Sequence, residues 1–447
     1  MFSISSKIGS SLTGNVRVPG DKSISHRALI IGALAIGETT ITGLLEGEDV
    51  LATASALQQL GAEIQQRKNS NVNSTIWHIF GRGIGGIIEP DNVLDFGNSG
   101  TSARLLMGVI ASSNIIATIT GDKSLRYRPM QRVIEPLRCI GAGFIARENS
   151  KLPITIIGTG EALPNEETLK VASAQVKSAI LLAGLNAMGN TTVIEPHQSR
   201  DHTEIMLKYF GAKLSTKENA DGSNQITLTG QPELTGQHIN IPGDISSASF
   251  LIVAALITPG SNLEIQGVGI NPLRIGLLES LKEMGANLRI LNEQHTSGEP
   301  IADIHVNYSQ LKGVRVPAER APSMIDEYPI LGIAASVAEG TSVFEGIGEL
   351  KIKESNRLEA MAKGLKECGI QTETTENSLT IVGSGRGPKG GNTITTHLDH
   401  RIAMSYLVLG LISKRPITID DGSPIDTSFP GFVELMNSLG ANMAIHK

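Results

Sequence analysis

The chain has 447 residues, a net charge of −6, 40% hydrophobic residues and only 3% aromatic residues. This length predicts two to three domains, and an acidic chain with a single Trp offers neither a basic face nor an aromatic platform for nucleic acid. No apolar run reaches membrane-spanning length and no signal peptide is readable, so we expect a cytoplasmic protein with no nucleic-acid or membrane partner.

One pattern recurs six times: an apolar helix rich in small residues, a strand, a polar loop and a second helix that ends in glycine. The first helices are predicted to open near Ser23, Asn98, Ser173, Asp244, Ile325 and His397. The strands that follow them are predicted at 39–42, 117–120, 191–195, 262–265, 341–345 and 416–420. The second helices end at Gly61, Gly141, Gly211, Gly285, Gly369 and Gly440, which lie 70 to 84 residues apart. This period is typical of an α/β supersecondary unit, and equivalent positions of such repeats lie at the same end of a fold.

The first helices of the repeats are apolar nearly all round, which is typical of buried helices. Each start carries Ser, Asp, Asn or Thr, whose side-chain oxygens accept hydrogen bonds from the exposed N–H groups of a first turn. The sequence therefore predicts six buried helices with capped N-termini.

The tripeptide Pro-Gly-Asp occurs twice, at 19–21 and 242–244, each time directly before a repeat. Because Pro-Gly strongly favours a turn, we interpret the two sites as crossovers between lobes of three repeats each. The first lobe then comprises 1–19 and 243–447, and the second comprises 20–242. A single ring of six units would give the same pattern.

Several other motifs favour a structural role. Cys139 and Cys368 each precede the closing glycine of a second helix, which indicates small core residues in a reducing compartment and not a disulfide framework. His397, Asp399 and His400 lack a further conventional ligand nearby, so hydrogen bonding at a helix start is favoured over metal binding. The glycine-rich stretch 81–86 is interpreted as a turn because no helix follows it, and 385–390 is interpreted as a loop because it contains Pro388.

Positive side chains recur at equivalent positions of the repeats. A helix N-terminus already attracts anions through its dipole and its unpaired N–H groups. The cations at these helix starts and at the equivalent loops are Lys22, Arg27, Arg128, Arg200, Lys353, Arg357 and Arg401. Two carboxylates, Asp326 and Glu354, stand among them. Since the chain is acidic overall, this local cationic density predicts a ligand with several negative charges.

Five segments resemble the 5-enolpyruvylshikimate-3-phosphate (EPSP) synthases: 20–27 (GDKSISHR), 94–101 (LDFGNSGT), 128–130 (RPM), 173–178 (SAQVKS) and 399–401 (DHR). The resemblance extends from about Val16 to Phe432, and 321–329 (APSMIDEYP) is similar to the subgroup called class II. It implies an α/β enolpyruvyl transferase fold with six βαβαββ repeats, three per lobe, and buried parallel helices. It also implies that no metal or organic cofactor is needed and that the lobes close over shikimate 3-phosphate and phosphoenolpyruvate. Apart from the resemblance, we expect a monomer.

The resemblance also implies which residues bind each substrate. Shikimate 3-phosphate would be held by Lys22, Ser23, Arg27, Ser173, Ala174, Gln175, Arg200, Asp326 and Lys353. Phosphoenolpyruvate would be held by Lys22, Gly100, Arg128, Gln175, Arg357 and Arg401.

The reaction would transfer the enolpyruvyl group to the 5-hydroxyl of shikimate 3-phosphate through a tetrahedral adduct, a step of aromatic amino-acid biosynthesis. Asp326 would accept the hydroxyl proton while Glu354 or Lys22 protonates the methylene carbon. Asp326 is expected to cap its helix as well. For Glu354, an ion pair with Lys353 or Arg357 is an equal alternative. Gly100 either permits a turn or leaves room for phosphoenolpyruvate.

Two positions differ between members of the family. The other class carries a lysine where Thr427 to Pro430 stand here, so no catalytic lysine is assigned to that loop. Some class II members carry Ala at the position of Gly100 and resist glyphosate, so we expect this chain to be a glyphosate target.

Two other functions stay open at this point. A UDP-N-acetylglucosamine enolpyruvyl transferase shares the fold, but it uses a Cys on the loop that reads 121–128 here, where no Cys is present. A non-catalytic phosphosugar-binding protein would also have a positive cleft. The carboxylates Asp326 and Glu354 argue against it, because they weaken anion binding unless they serve the reaction.

Overall fold

The computed structural model describes residues 2–69 and 74–446. Its helices are α1 Lys22–Leu34, α2 Glu48–Gln59, α3 Gly100–Ala111, α4 Gln131–Cys139, α5 Ala174–Gly184, α6 His202–Tyr209, α7 Ile245–Ile257, α8 Gly276–Glu283, α9 Ala321–Met324, α10 Tyr328–Val337, α11 Arg357–Glu367, α12 His400–Gly410 and α13 Phe432–Leu439. The predicted first helices are α1, α3, α5, α7, α10 and α12. None of the described helices is long and apolar enough to cross a bilayer.

The strands belong to the same repeats. They are β1 Ser3–Lys7, β2 Thr13–Val16, β3 Glu38–Thr42, β4 Glu63–Asn69, β5 Ser74–Phe80, β6 Leu94–Asp95, β7 Ile116–Thr120, β8 Gly143–Arg147, β9 Lys151–Ile157, β10 Glu166–Thr168, β11 Asn190–Glu195, β12 Leu214–Glu218, β13 Asn224–Thr229, β14 His238–Asn240, β15 Asn262–Gly269, β16 Asn287–Thr296, β17 Glu299–Asn307, β18 Arg315–Val316, β19 Glu339–Glu345, β20 Gln371–Thr374, β21 Ser378–Ser384, β22 Thr393–Ile394, β23 Ile417–Ile419 and β24 Asn442–His446.

The chain divides into two compact units. The first comprises Met1–Pro19, Pro242–Gln294 and Pro300–Lys447, and the second comprises Gly20–Ile241 and His295–Glu299. The tip of the β16–β17 hairpin thus groups with the second unit, where the Nδ1 atom of His202 lies 2.6 Å from Glu299.

The described residues form six four-stranded sheets of one topology. In the second unit the strand orders are β14-β3-β5-β4, β6-β7-β9-β8 and β10-β11-β13-β12. In the first unit they are β22-β23-β1-β24, β16-β17-β15-β2 and β18-β19-β21-β20. Within β6-β7-β9-β8, β6 runs parallel to β7 while β9 is antiparallel to both β7 and β8. Each sheet with its helices is a βαβαββ unit, which confirms the predicted fold class.

In each unit, strands from distant parts of the chain complete some of the sheets. In the second unit, β14 follows the third repeat but pairs in parallel with β3 of the first, with His238 opposite Thr40. In the first unit, β1 pairs with β23 and β24, and β2 pairs with β15. Each unit is therefore closed on itself by long-range strand pairing.

The first helices form the core of each unit. Every residue of α7 is buried, as are ten of the twelve residues of α3. The α3 and α5 backbones approach so closely that a Cβ on Gly108 would lie 2.1 Å from the carbonyl oxygen of Ala179. Only glycine fits at such a contact. The small residues of these helices therefore permit helix-to-helix packing that larger side chains would prevent.

The second helices end as the sequence indicates. The glycines that follow them have positive φ angles of 93°, 108°, 103°, 87°, 87° and 120° at Gly61, Gly141, Gly211, Gly285, Gly369 and Gly440. This left-handed conformation is the common end of a helix, and glycine adopts it without a Cβ clash.

Two predictions about local structure are wrong. Helix α10 begins at Tyr328, after the separate short helix α9, and its N-cap Glu327 makes no side-chain capping bond. Asp326 therefore lies in the turn before α10 and does not cap it, because Pro329 and the preceding helical turn shift the start of the helix. Cys139 is exposed, not a core residue, since it ends α4 on the outer side, whereas Cys368 is buried.

Candidate functional site

In the second unit, the starts of α3 and α5 are joined through Gln175. Its Nε2 atom donates to Thr101 Oγ1 at 2.9 Å, and its Oε1 atom accepts a hydrogen bond from Arg104 at 2.9 Å. Both partners lie in the first turns of α3. These bonds fix the orientation of the Gln175 amide. Ser173 caps α5, the helix that carries Gln175, since its Oγ accepts a hydrogen bond from the N–H of Val176.

Arg27 joins α1 to α5 and α6 in the second unit. Its guanidinium is buried and donates to Thr203 Oγ1 at 2.6 Å, Ser178 Oγ at 2.8 Å and the carbonyl oxygen of Ser23 at 2.9 Å. Burial is the main cause that lowers the pKa of Arg27 to about 10; the positive charge of Arg200 acts in the same direction, whereas Glu204 and Asp21 oppose it. Arg27 stays protonated at neutral pH. The predicted cations Arg27 and Arg200 therefore lie within electrostatic reach of each other.

Lys22, the first residue of α1, forms an ion pair with Asp49 of α2. Asp49 was not predicted as a site residue, because a single acidic residue near a helix start is typical of an exposed surface charge. Beside this pair, the buried His26 hydrogen-bonds through Nδ1 to Thr53 Oγ1 at 2.7 Å. Burial, together with the charges of Lys22 and Arg27, lowers the pKa of His26 well below its usual value. His26 is therefore neutral at physiological pH.

Gly100 opens α3 next to two arginines. A Cβ at Gly100 would lie 2.7 Å from a terminal nitrogen of Arg104 and 3.1 Å from one of Arg128. Arg128 is itself fixed, because it donates to Asn98 Oδ1 at 2.7 Å and to Ser124 Oγ at 3.2 Å. A side chain at position 100 would therefore displace guanidinium groups even before a ligand binds. This close approach favours, of the two interpretations of Gly100, the one in which its missing Cβ leaves room at the start of α3.

In the first unit, Arg357 is surrounded by carboxylates. Its side chain is fully buried and lies 2.8 Å from Asp399, 3.1 Å from Asp326 and 2.5 Å from Glu354. Burial opposes its positive charge, but Asp399, Glu354 and Asp326 outweigh burial and raise the pKa of Arg357 above its usual value. The first unit thus brings together Arg357, Asp326 and Glu354, which were all predicted as site residues. The structure contains the ion pair of Glu354 with Arg357 that the sequence suggested.

Asp399 is the fully buried partner that anchors this cluster. It accepts hydrogen bonds from Ser355 Oγ at 3.0 Å and from the backbone N–H of Arg401 at 3.0 Å, besides its bond with Arg357. Burial would raise the pKa of Asp399, but the adjacent Arg357 reverses the effect and the pKa lies below its usual value. The sequence identified Asp399 only as a capping residue. Its place in the motif Asp399-His400-Arg401 was the available signal.

Arg401 contacts the turn that carries Asp326. It donates to the carbonyl oxygen of Asp326 at 3.2 Å and to Glu327 Oε1 at 3.5 Å. The buried Glu327 also accepts a hydrogen bond from Ser246 of α7 and lies 3.8 Å from Arg274. The starts of α7, α10 and α12 therefore meet around Glu327. Sequence reasoning missed this carboxylate, although it adjoins Asp326.

Lys353 ends a 3₁₀ turn, Gly348–Ile352, and is half-buried beside Glu354. Ser23 and Ala174 occupy the first turns of α1 and α5, next to Lys22 and Gln175. Within residues 2–69 and 74–446, no group of three His, Cys, Asp or Glu side chains is placed to hold a metal ion.

The two units thus present different chemistry. The second unit collects cations and N–H groups at helix starts, an arrangement suited to phosphate and carboxylate groups. The first unit places two partly exposed carboxylates, Asp326 and Glu354, against a buried guanidinium and near Arg401. Carboxylates held in this way can accept or donate protons. The second unit therefore has groups that bind anions, and the first unit has groups that can transfer protons.

Known proteins resemble the chain over almost its whole length. The sequence model of the family described as EPSP synthase (3-phosphoshikimate 1-carboxyvinyltransferase) matches residues 6–436. A 3-phosphoshikimate 1-carboxyvinyltransferase of Paramagnetospirillum magneticum is 55% identical over 441 residues, which cover 99% of this chain and 98% of the relative. One of Granulibacter bethesdensis is 57% identical over 430 residues, covering 96% of this chain and 94% of the relative. A solved EPSP synthase from Acinetobacter baumannii superposes with a TM-score of 0.88 at 44% identity, with 100% of both chains covered.

Proposed function

Since the chain belongs to the EPSP synthase family and transfers the enolpyruvyl group of phosphoenolpyruvate to shikimate 3-phosphate in the shikimate pathway, we propose that the residues described above perform that reaction as follows. The observation that carries the assignment is the Arg357 cluster, in which a buried guanidinium holds Asp326 and Glu354. A site that only bound anions would gain nothing from these carboxylates.

Shikimate 3-phosphate binds to polar and cationic groups at the helix starts. These are Lys22, Ser23, Arg27, Ser173, Ala174, Gln175 and Arg200, with Asp326 and Lys353. Its phosphate is a dianion, so neighbouring guanidinium groups such as Arg27 and Arg200 suit it better than single charges. The first turns of α1 and α5 add backbone N–H groups that can donate hydrogen bonds to the phosphate oxygens.

Phosphoenolpyruvate binds to a second group of cations with two neutral neighbours. These are Lys22, Arg128, Arg357 and Arg401, with Gly100 and Gln175. The substrate carries a carboxylate and a phosphate, for which planar guanidinium groups are bidentate partners. Arg128, already fixed by Asn98 and Ser124, is preorganised for such a contact. Preorganised charge stabilises an anion without the cost of reorientation in the transition state.

Asp326 is the general base. Its carboxylate accepts the proton of the 5-hydroxyl as the hydroxyl oxygen attacks C2 of phosphoenolpyruvate, while a proton adds to C3 and makes it a methyl group. A base must be ionised to act, and Arg357 places a positive charge 3.1 Å from Asp326. In the second half of the reaction the methyl group loses a proton, the C2–O bond to phosphate breaks and phosphate leaves, so the C2=C3 double bond re-forms and gives the enol ether of the product.

The proton for C3 comes from Glu354 or Lys22. Each is held by an oppositely charged partner, Glu354 by Arg357 and Lys22 by Asp49. The variants Glu354→Gln and Lys22→Met distinguish the two. In deuterium oxide, the true donor's variant loses deuterium incorporation at C3 of phosphoenolpyruvate by a larger factor than it loses turnover, so its ratio of exchange to turnover falls. The other variant retains the ratio of exchange to turnover found in the wild type.

We also propose that the enzyme acts as a monomer in the cytoplasm. Both of its cysteines are free thiols, which suits a reducing compartment. One chain supplies every side chain that the proposed reaction uses. Light scattering after gel filtration at micromolar concentration should give the mass of one chain, and a stable dimer would contradict the proposal.

The test of the catalytic assignment is phosphate release from the two substrates. Asp326→Asn should lower turnover by about 10²–10⁴-fold, while the KM for shikimate 3-phosphate changes less than about threefold. Asp221→Asn, at an exposed carboxylate of the other unit, is the matched control and should behave as the wild type. Unchanged turnover in Asp326→Asn would exclude Asp326 as the base.

A further inference from the structure

A buried charged cluster lies directly behind the proposed phosphate site of the second unit. Lys177 of α5 is fully buried, and its Nζ atom lies 3.0 Å from Glu195 and 2.6 Å from Glu204. It also donates to the carbonyl oxygen of Ser199 at 3.2 Å. An ammonium group has three N–H donors, so the three buried acceptors match them. Two negative charges thus surround one positive charge in the protein interior.

Burial of such a charged cluster has a free-energy cost in folding. Burial lowers the pKa of Lys177, but Glu204 and Glu195 outweigh it and raise the pKa above its usual value, so the lysine is charged. A buried ion pair pays a desolvation penalty that well-packed apolar side chains avoid, and replacing such groups by apolar residues is often neutral or stabilising. Stability therefore does not explain Lys177, and the geometry of its partners becomes the informative feature.

The cluster fixes one peptide segment from both sides. Glu195 accepts hydrogen bonds from the backbone N–H of Ser199 at 3.1 Å and from its hydroxyl at 2.6 Å. Lys177 holds the carbonyl oxygen of the same residue. All the polar groups of Ser199 are thus engaged by two buried charges. The next residue is Arg200, whose position relative to Arg27 depends on this segment.

We propose that Glu195 and Lys177 are positioning residues that hold the Ser199–Arg200 segment so that Arg200 contacts the phosphate of shikimate 3-phosphate. The inference rests on the proposed function, in which Arg200 is a phosphate ligand. Lys177 also lies one turn after Ser173 and Ala174, so one buried side chain fixes both the start of α5 and the Arg200 segment. Glu204 pairs with Lys177 through Oε1, and its Oε2 makes no hydrogen bond within the described part of the chain, so it balances the charge of Lys177 without holding Ser199.

The difference between the two carboxylates gives a matched experiment. Glu195→Gln and Glu204→Gln each remove one buried negative charge from Lys177, but only the first weakens the hold on Ser199. Glu195→Gln should raise the KM for shikimate 3-phosphate about tenfold, with turnover and the KM for phosphoenolpyruvate within twofold of the wild type. Glu204→Gln should leave all three constants within twofold, although both variants lower the unfolding temperature. Equal KM values for the two variants would overturn the proposal.

A second variant separates reach from charge. Glu195→Asp keeps the negative charge beside Lys177 but shortens the side chain, so it should raise the same KM even where the glutamine variant fails to fold. A KM equal to that of the wild type would show that the contact with Ser199 is unimportant.

A double-mutant cycle with Arg200→Met shows whether the effect passes through Arg200. If Glu195 acts by positioning Arg200, Glu195→Gln should not raise the KM any further in the Arg200→Met background. Additive increases would overturn the proposal.

The wild-type assay separates this inference from the proposed function. Phosphate release by the wild type, together with additive effects, would refute only the positioning role. No release from the two substrates would refute the function itself.

Discussion

The buried pair between Arg357 and Asp399 allows a sharp prediction about stability. Both side chains are fully buried and lie 2.8 Å apart. Asp399→Asn keeps the shape and one acceptor oxygen of the side chain but removes its negative charge. Loss of one partner from a buried ion pair costs about 3–5 kcal/mol, because the other charge stays in the interior. Since Asp326 and Glu354 still contact Arg357, we expect about 3 kcal/mol.

The change is measurable by thermal unfolding. For a domain of roughly 200 residues, each kcal/mol corresponds to about 2–4 °C, so Asp399→Asn should lower the unfolding temperature by about 6–12 °C at neutral pH. The control is Glu345→Gln, which breaks the exposed pair in which Glu345 lies 2.5 Å from Arg315. Exposed pairs contribute about 0–1 kcal/mol. Equal losses in the two variants would refute the reasoning, because burial is the difference between them.

The pH dependence gives an independent check. The pKa of Asp399 is lower in the folded state than its usual value. The unfolded chain therefore binds this proton more readily, and the stabilisation is fully present above about pH 4 and lost as the pH falls through the folded pKa. The difference in stability between the wild type and Asp399→Asn should narrow below about pH 4. A gap that stays constant down to pH 3 would contradict the assignment.

Three further predictions concern single residues. Gly100→Ala should displace the two guanidinium groups at the start of α3. We expect it to raise the KM for phosphoenolpyruvate about tenfold, a difference of about 1.4 kcal/mol, and to weaken inhibition by glyphosate. An unchanged KM would contradict the steric argument. Because His26 is neutral in the folded protein, only the unfolded chain takes up this proton as the pH falls below about 6.5, the usual pKa of histidine. The free energy of unfolding should therefore fall by up to about 1.4 kcal/mol for each pH unit below that value. His26→Gln should flatten this slope in urea titrations, whereas the exposed His197→Gln should not. A thiol reagent should modify Cys139 alone in the native protein, because burial raises the pKa of Cys368 to about 12; modification of both would contradict it.

The repeats could be predicted because each depends on local signals. A buried helix shows as an apolar stretch, a helix end shows as glycine, and both recur at a fixed period. The partners of β14, β1 and β2 could not be predicted in this way. Their pairings join residues far apart in the sequence, such as His238 and Thr40, and no local pattern indicates which distant strand completes a sheet.

The cations of the site were predictable, but their partners were not. Arg27, Arg128 and Arg357 stand out because they recur at equivalent positions of an acidic chain. The residues that hold them, such as Asn98 and Asp399, have the composition of ordinary capping residues. Their role appears only when a second helix start is brought beside the first. Sequence therefore indicates which charges the site contains, and structure indicates how they are held.

The distribution of buried charge explains how one architecture serves both stability and catalysis. Buried charged side chains such as Arg27, Lys177, Glu327 and Asp399 lie in the first two turns of the first helices or at their N-caps, whereas the remaining turns of those helices are uncharged and largely apolar. The apolar turns supply the burial that stabilises each unit. The charged first turns lose part of that stabilisation to desolvation. Apolar replacement of a charged cluster could therefore raise the unfolding temperature while it abolished activity, a trade-off common at catalytic sites. Within the first helices this cost is concentrated at the N-terminal end, so their remaining turns pack without charge.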